Sequence, residues 1–112
     1  NMEERQKEAE NAMEIIKQEV TKFNNWFSTL DAIPTIVEMR NRAEDMRALE
    51  VDKTLKNMDH LSSEDKDAIQ QLTQSLVNKI LHKPTINLKK KTQSQDGHIY
   101  LKAIRDLFHL DD

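Results

Sequence analysis

The sequence predicts an all-α, elongated helical domain, with three long helices at about 2–29, 34–58 and 63–82 and one or two short helices after them, forming a self-associating helical bundle. Three observations carry this reading. Apolar residues recur at helical spacing through most of the chain. No run alternates polar and apolar residues, and the one Asp-Gly pair, Asp96-Gly97, has no strand before it, so strands are not expected. The first apolar seam is longer than a compact globule of this size can cover.

That seam runs Ala9, Met13, Ile16, Val20, Phe23, Phe27, Leu30, at spacings of 4, 3, 4, 3, 4 and 3 residues, with Met2 in phase one heptad earlier. An unbroken heptad marks a helix that packs along its length on another helix. Over residues 2–29 the helix would be roughly 42 Å long at 1.5 Å per residue. A compact chain of 112 residues has a radius of gyration of about 13 Å, hence a diameter of roughly 34 Å. The excess of seam over globule predicts either an elongated monomer or a partner that covers the remainder, and an oligomer is the stronger reading.

Pro34 suits the first turn of a second helix, where its missing N–H costs nothing, and it disfavours helix at Ile33. Ile36, Met39, Ala43, Met46, Val51, Leu55 and Met58 form the second stripe, whose irregular step from Met46 to Val51 suggests a change of partner midway. Ser62 with Asp65 three residues on is a capping signal for the third helix. Ile69, Leu72, Leu76 and Ile80 make its expected buried line, with Thr73 and Val77 beside them. Lys79, His82 and Lys83 fall in the expected last turn, where positive charge is favoured, and Pro84 is the expected stop. After a weak segment to about Lys91 and a polar loop, Tyr100, Leu101, Ile104, Leu107 and Phe108 repeat as a last short helix. The whole of 1–112 reads as one domain.

Composition removes several functions. With 17 Lys and Arg against 20 Asp and Glu, a net charge of -3 and a pI near 5.8, the chain lacks the basic footprint of a general nucleic-acid binder. It has no cysteine, hence no disulfide, thiolate metal site or cysteine nucleophile. Its one glycine cannot build a glycine-rich phosphate loop. No apolar run is long enough for a transmembrane helix and no signal peptide is apparent, so a cytoplasmic location without membrane contact is expected.

The four histidines, His60, His82, His98 and His109, are too far apart in sequence to share a helical zinc site. His82 is the one candidate haem ligand, and a plain helix-terminal imidazole is the stronger reading. Arg40, Glu44, Arg47 and Val51 lie on one line of the second helix bordering its apolar stripe, at rotations of about 40°, -20° and 20°. They are either a solvated intrahelical group or inter-helix ion pairs in which Arg40, Glu44 and Arg47 set the register with a neighbour. Trp26 and Phe27 read as packing anchors.

Three segments, "EIIKQEVTKFNNWFSTLDAIPTIVEMRNRAEDMRALEVDKTL", "LSSEDKDAIQQLTQSLVNKILHKPTINLK" and "YLKAIRDLFHL", together resemble the C-terminal dimerisation domain of glutamyl-tRNA reductase. The resemblance rests on the order and spacing of Phe23, Trp26, Leu30 and Pro34, then Arg40, Ala43, Glu44 and Arg47, then Val77-Asn78-Lys79 leading to His82 and Pro84. It implies a homodimerisation module of an enzyme that reduces glutamyl-tRNA to glutamate 1-semialdehyde with NADPH, at the first committed step of tetrapyrrole and haem biosynthesis. It further implies a helical-bundle dimer, with a first helix that is the distal part of a long spinal helix. Catalytic and NADPH residues would lie in upstream domains absent here, so no catalytic, cofactor or metal residue is assigned to this chain and no cofactor is expected in it. Implied partners are a second copy, glutamyl-tRNA through the upstream domains, and a downstream aminomutase or regulatory proteins. Candidate interface positions, chosen by stripe, are Phe23, Phe27, Leu30, Ile69, Leu72, Leu76 and Ile80. The competing expectation is an independent helical adaptor that binds a different protein through the same stripes.

Overall fold

The computed structural model describes residues 1–111, and these form three helices: α1 (Met2–Leu55), α2 (Ser63–Lys91) and α3 (Gly97–Leu107). The fold is the elongated all-α one that the periodicity predicts. It measures 85 × 32 × 15 Å with a radius of gyration of 22.9 Å, against about 13 Å for a compact chain of this length. The long dimension is α1 itself, since 54 residues at 1.5 Å each span roughly 81 Å.

The helices differ from the expected ones at both prolines. Pro34 does not start a second helix but lies inside α1, and Pro84 does not stop the third but lies inside α2, which runs on to Lys91. An internal proline leaves the carbonyl four residues back without its helical bond, at a cost of about 3 kcal/mol or more. Both prolines are exposed to solvent, where water can satisfy that carbonyl, while buried residues in the adjoining turns hold the helix in place. Beside Pro34 these are Ala32, Thr35 and Ile36, and beside Pro84 they are Leu81 and Leu88. Next to the second break the Thr85 hydroxyl donates to the Leu81 carbonyl at 2.7 Å, one residue beyond the Ile80 carbonyl that Pro84 leaves to water. Tertiary packing thus overrides the local stop signal, and the expected helices 2–29 and 34–58 are one.

α2 lies antiparallel on the distal part of α1: cross-helix hydrogen bonds join Arg47 to Gln70 and Thr73, Arg40 to Asn78 and Thr85, and Gln93 to Thr29. Ser62 caps α2 as the sequence signals, with its hydroxyl accepting from the Asp65 amide and the Asp65 carboxylate accepting from the Ser62 amide. The short α3 closes the end of this pair. Leu101 and Ile104 pack against a core of Ala32, Ile36 and Leu88. Met39, Val51 and Leu81 extend the core along the α1–α2 seam.

Gly97 allows α3 to start where it does. Its amide donates to the Ser94 carbonyl, and a Cβ placed on it would stand 2.6 Å from the Thr92 Cα and 2.9 Å from two backbone oxygens. Only a residue without a side chain fits between the two helix ends. Lys91, at the end of α2, places its ammonium 5.2 Å from the centroid of the Tyr100 ring.

The buried faces also differ in detail from the expected stripes. On α1 the inward line passes through Met39, Ala43, Arg47 and Val51, so that Arg47 takes the place expected for Met46, and Met46 points outward. This resolves the irregular step in the second stripe. On α2 the inward residues are Thr73, Val77, Leu81 and Leu88, while Leu72, Leu76 and Ile80, expected on a buried line, are exposed and Ile69 is half-buried. α1 therefore takes the narrow face of α2 that contains the threonines, and leaves the broader leucine face uncovered within the protomer.

Candidate functional site

Two apolar faces lie open on this protomer. The first is the proximal seam of α1. Every residue from 2 to 24 is exposed, including Met13, Ile16, Val20 and Phe23. Phe23, Trp26 and Phe27 cluster there, with ring centroids 5.9 Å apart for Phe23 and Trp26 and 6.2 Å for the stacked Phe23 and Phe27. Leu30, at 39% exposure, marks where the seam passes into the packed part.

The second face is on the distal hairpin. Leu72, Leu76 and Ile80 are 67%, 56% and 61% exposed, and Met46 and Leu49 of α1 lie equally open. Between the helices Met46, Val51, Leu76, Val77, Ile80 and Phe108 line an apolar groove of about 430 Å³. Exposed apolar surface of this extent on a small protein marks a contact site for another macromolecule.

The arginines behind these faces fix the hairpin's register. Arg47, with its side chain only 6% exposed, donates to Gln70 Oε1 at 2.7 Å and Thr73 Oγ1 at 3.1 Å on α2. Its Nε and Nη2 both engage Glu44 of its own helix, the first at 2.7 Å. Arg40 donates to Thr85 Oγ1 at 3.1 Å and, more weakly, to Asn78 Oδ1 at 3.5 Å. Arg40 and Arg47 thus cross to α2, onto neutral acceptors and not onto the carboxylates of a neighbouring helix. The ion pair Glu44–Arg47 is intrahelical, which corrects the inter-helix pairing expected of Arg40, Glu44 and Arg47. The threonine-rich inner face of α2 supplies hydroxyls instead of carboxylates there. Hydrogen bonds from Arg47 hold the Glu44 carboxyl below the ordinary carboxylate range and raise the Arg47 guanidinium.

A second arginine network was not anticipated. Arg105 of α3 donates to Thr35 Oγ1 at 3.2 Å, pairs with Glu38, and holds Asp111 Oδ1 at 2.5 and 2.8 Å. These bonds raise Arg105, Asp111 first among the causes, and lower Asp111. Arg42 donates to the His109 carbonyl at 2.7 Å. The sequence did hold a signal for this: Pro-Thr-Ile occurs at 34–36 and again at 84–86. In both copies the threonine hydroxyl accepts from an arginine of another helix, Arg105 in one and Arg40 in the other.

His82 lies on the outer surface in mid-helix, and among the described residues no group of three or more His, Cys, Asp or Glu could hold a metal ion. No helix among them is long and apolar enough to cross a membrane. Gly97 is wedged against the end of α2, so the residues present do not fit a dinucleotide cradle.

Helices held in register by cross-helix arginine hydrogen bonds, with two apolar faces turned outward, define an elongated helical association domain. The family model described as "Glutamyl-tRNAGlu reductase, dimerisation domain" matches residues 11–110, and the chain belongs to that family. The glutamyl-tRNA reductase of Syntrophotalea carbinolica is 44% identical over 110 residues, covering 98% of this chain and 25% of the relative. Those of Syntrophobacter fumaroxidans and Natranaerobius thermophilus are 42% and 40% identical over 112 residues, the whole of this chain and 24% of each relative. The chain spans about a quarter of the length of the curated relatives it matches.

Proposed function

We propose that the 112 residues act as one domain, the homodimerisation module of a cytoplasmic glutamyl-tRNA reductase. The reduction of glutamyl-tRNA with NADPH is carried by parts of that enzyme outside this sequence. The observation that supports this most is the second open face. Leu72, Leu76 and Ile80 are more than half exposed on a helix whose opposite side is packed. Burying such side chains contributes about 1.5–3 kcal/mol each, enough for a few of them to drive association.

The candidate interface residues then divide by place. Leu72, Leu76 and Ile80, with Ile69 at their margin, form the distal contact. Phe23, Phe27 and Leu30 lie where the open seam meets the hairpin, and the role given to them is to extend that contact.

Light scattering after gel filtration at tens of micromolar tests the reading. The expected mass is twice the 13.1 kDa of the chain, and a clean 13.1 kDa species overturns it. Leu76→Asp places an unpaired charge in the contact and should give the single-chain mass with its helical circular dichroism kept.

A further inference from the structure

Charge is distributed unevenly along α2 and the turn before it. Residues 59–67 carry Asp59, Glu64, Asp65 and Asp67 against Lys66 alone. From residue 68 to residue 91 there is no acid and there are five lysines. Asp65, Leu72, Leu76, Ile80, Lys83 and Lys90 lie within an arc of about 80° of the helix at 100° per residue, and all are exposed. Neither Lys83 nor Lys90 joins an ion pair among the described residues. The open face is therefore acidic at its start, apolar in its middle and basic at its end, with Leu72 and Ile80 equally spaced about Leu76.

We infer that α2 pairs with α2 of a second copy in antiparallel orientation, about a two-fold axis at Leu76. This rests on the dimerisation reading and specifies the geometry it leaves open. A two-fold contact must be self-complementary. In this register Leu76 meets Leu76, Leu72 meets the partner's Ile80, and Asp65 falls beside the partner's Asn87, one turn from both Lys83 and Lys90. The acidic end of each copy lies on the basic end of the other. A parallel pairing would stack Lys83 on Lys83 and Asp65 on Asp65, and like charges placed together select against it. The apolar residues supply the affinity and the charges the orientation.

The absence of cysteine makes the test clean, because each introduced thiol is the only one in its chain. Under mild oxidation Leu76→Cys should give a disulfide-linked dimer, since the two thiols meet on the axis. Lys83→Cys should give none, because its two copies lie roughly 21 Å apart along the helices at 1.5 Å per residue, well beyond the reach of a disulfide. A mixture of Leu72→Cys and Ile80→Cys chains should form the mixed disulfide, and neither should cross-link with itself. Raising salt should weaken the unmodified dimer several-fold as the end charges are screened. A dimeric mass with Lys83→Cys cross-linked, or with neither Leu76→Cys nor the mixed pair cross-linked, overturns the antiparallel register and leaves self-association standing. A monomeric unmodified chain overturns both.

Discussion

The two ends of α1 share a helical apolar rhythm and differ in everything else. From Ala32 to Val51 the stripe is covered by α2 and α3, and it includes Met39, which is wholly buried. From Met13 to Phe27 an equally regular heptad is exposed, with no partner among the described residues. The difference does not lie in the apolar residues. It shows in the polar ones beside them: the distal half carries Arg40, Arg47 and Thr35, each joined across to another helix, whereas the proximal half, among the described residues, has only short-range bonds such as Thr21 to Lys17 and Lys22 to Glu19. Apolar periodicity makes a helix able to pack, α2 with 29 residues against the 54 of α1 reaches only the distal half, and cross-helix hydrogen bonds fix the register there.

Core truncation should divide the two halves most sharply. Met39→Ala removes a wholly buried side chain and should cost about 2–5 kcal/mol in urea unfolding, whereas Met13→Ala should stay within about 0.5 kcal/mol at the same protein concentration. Equal losses would break the comparison. Gly97→Ala should come next. Its Cβ meets backbone that must move, at a cost of about 1–3 kcal/mol read as a lower melting temperature of the distal unit.

Thr85→Val removes the Arg40 acceptor and the Leu81 back-bond while keeping the shape. The expected loss is about 1 kcal/mol in the same unfolding measurement. A neutral result would mean that the arginine bridges do not set the register.

The smallest effect should be the pH dependence. Glu44 and Asp111 are held below the ordinary carboxylate range by hydrogen bonds from Arg47 and Arg105. Their folded pKa values lie below the unfolded ones, so their contribution is present above the ordinary carboxylate range and is lost as pH falls through the lowered values. Stability measured stepwise into acid should therefore decline there, and Glu44→Gln combined with Asp111→Asn should flatten the decline. Both carboxylates serve the distal half, so shortening α1 at its N-terminal end should leave the slope unchanged.

Much of this was legible in the sequence. The heptad from Ala9 to Leu30, the Ser62 and Asp65 capping pair and the helix around Leu101 and Ile104 all follow from local chemistry, and the structure contains each of them. The prolines were not legible as interior residues, because their tolerance depends on which side of the helix meets water. The inward turn of Arg47 was hidden for a related reason: a guanidinium is accepted in a core line only when Gln70 and Thr73 stand opposite, and that pairing depends on a register two helices share. Leu72, Leu76 and Ile80 were recognisable as an apolar face, but sequence alone does not say whether such a face is covered from inside the chain or from outside it.

Hydrogen exchange along α1 tests the division between its halves most directly. Amides from Ile36 to Val51 should exchange slowly and those of residues 2–24 quickly, since a helix of that length without a packed face is marginal in water. Uniform protection along the whole of α1 would contradict the account.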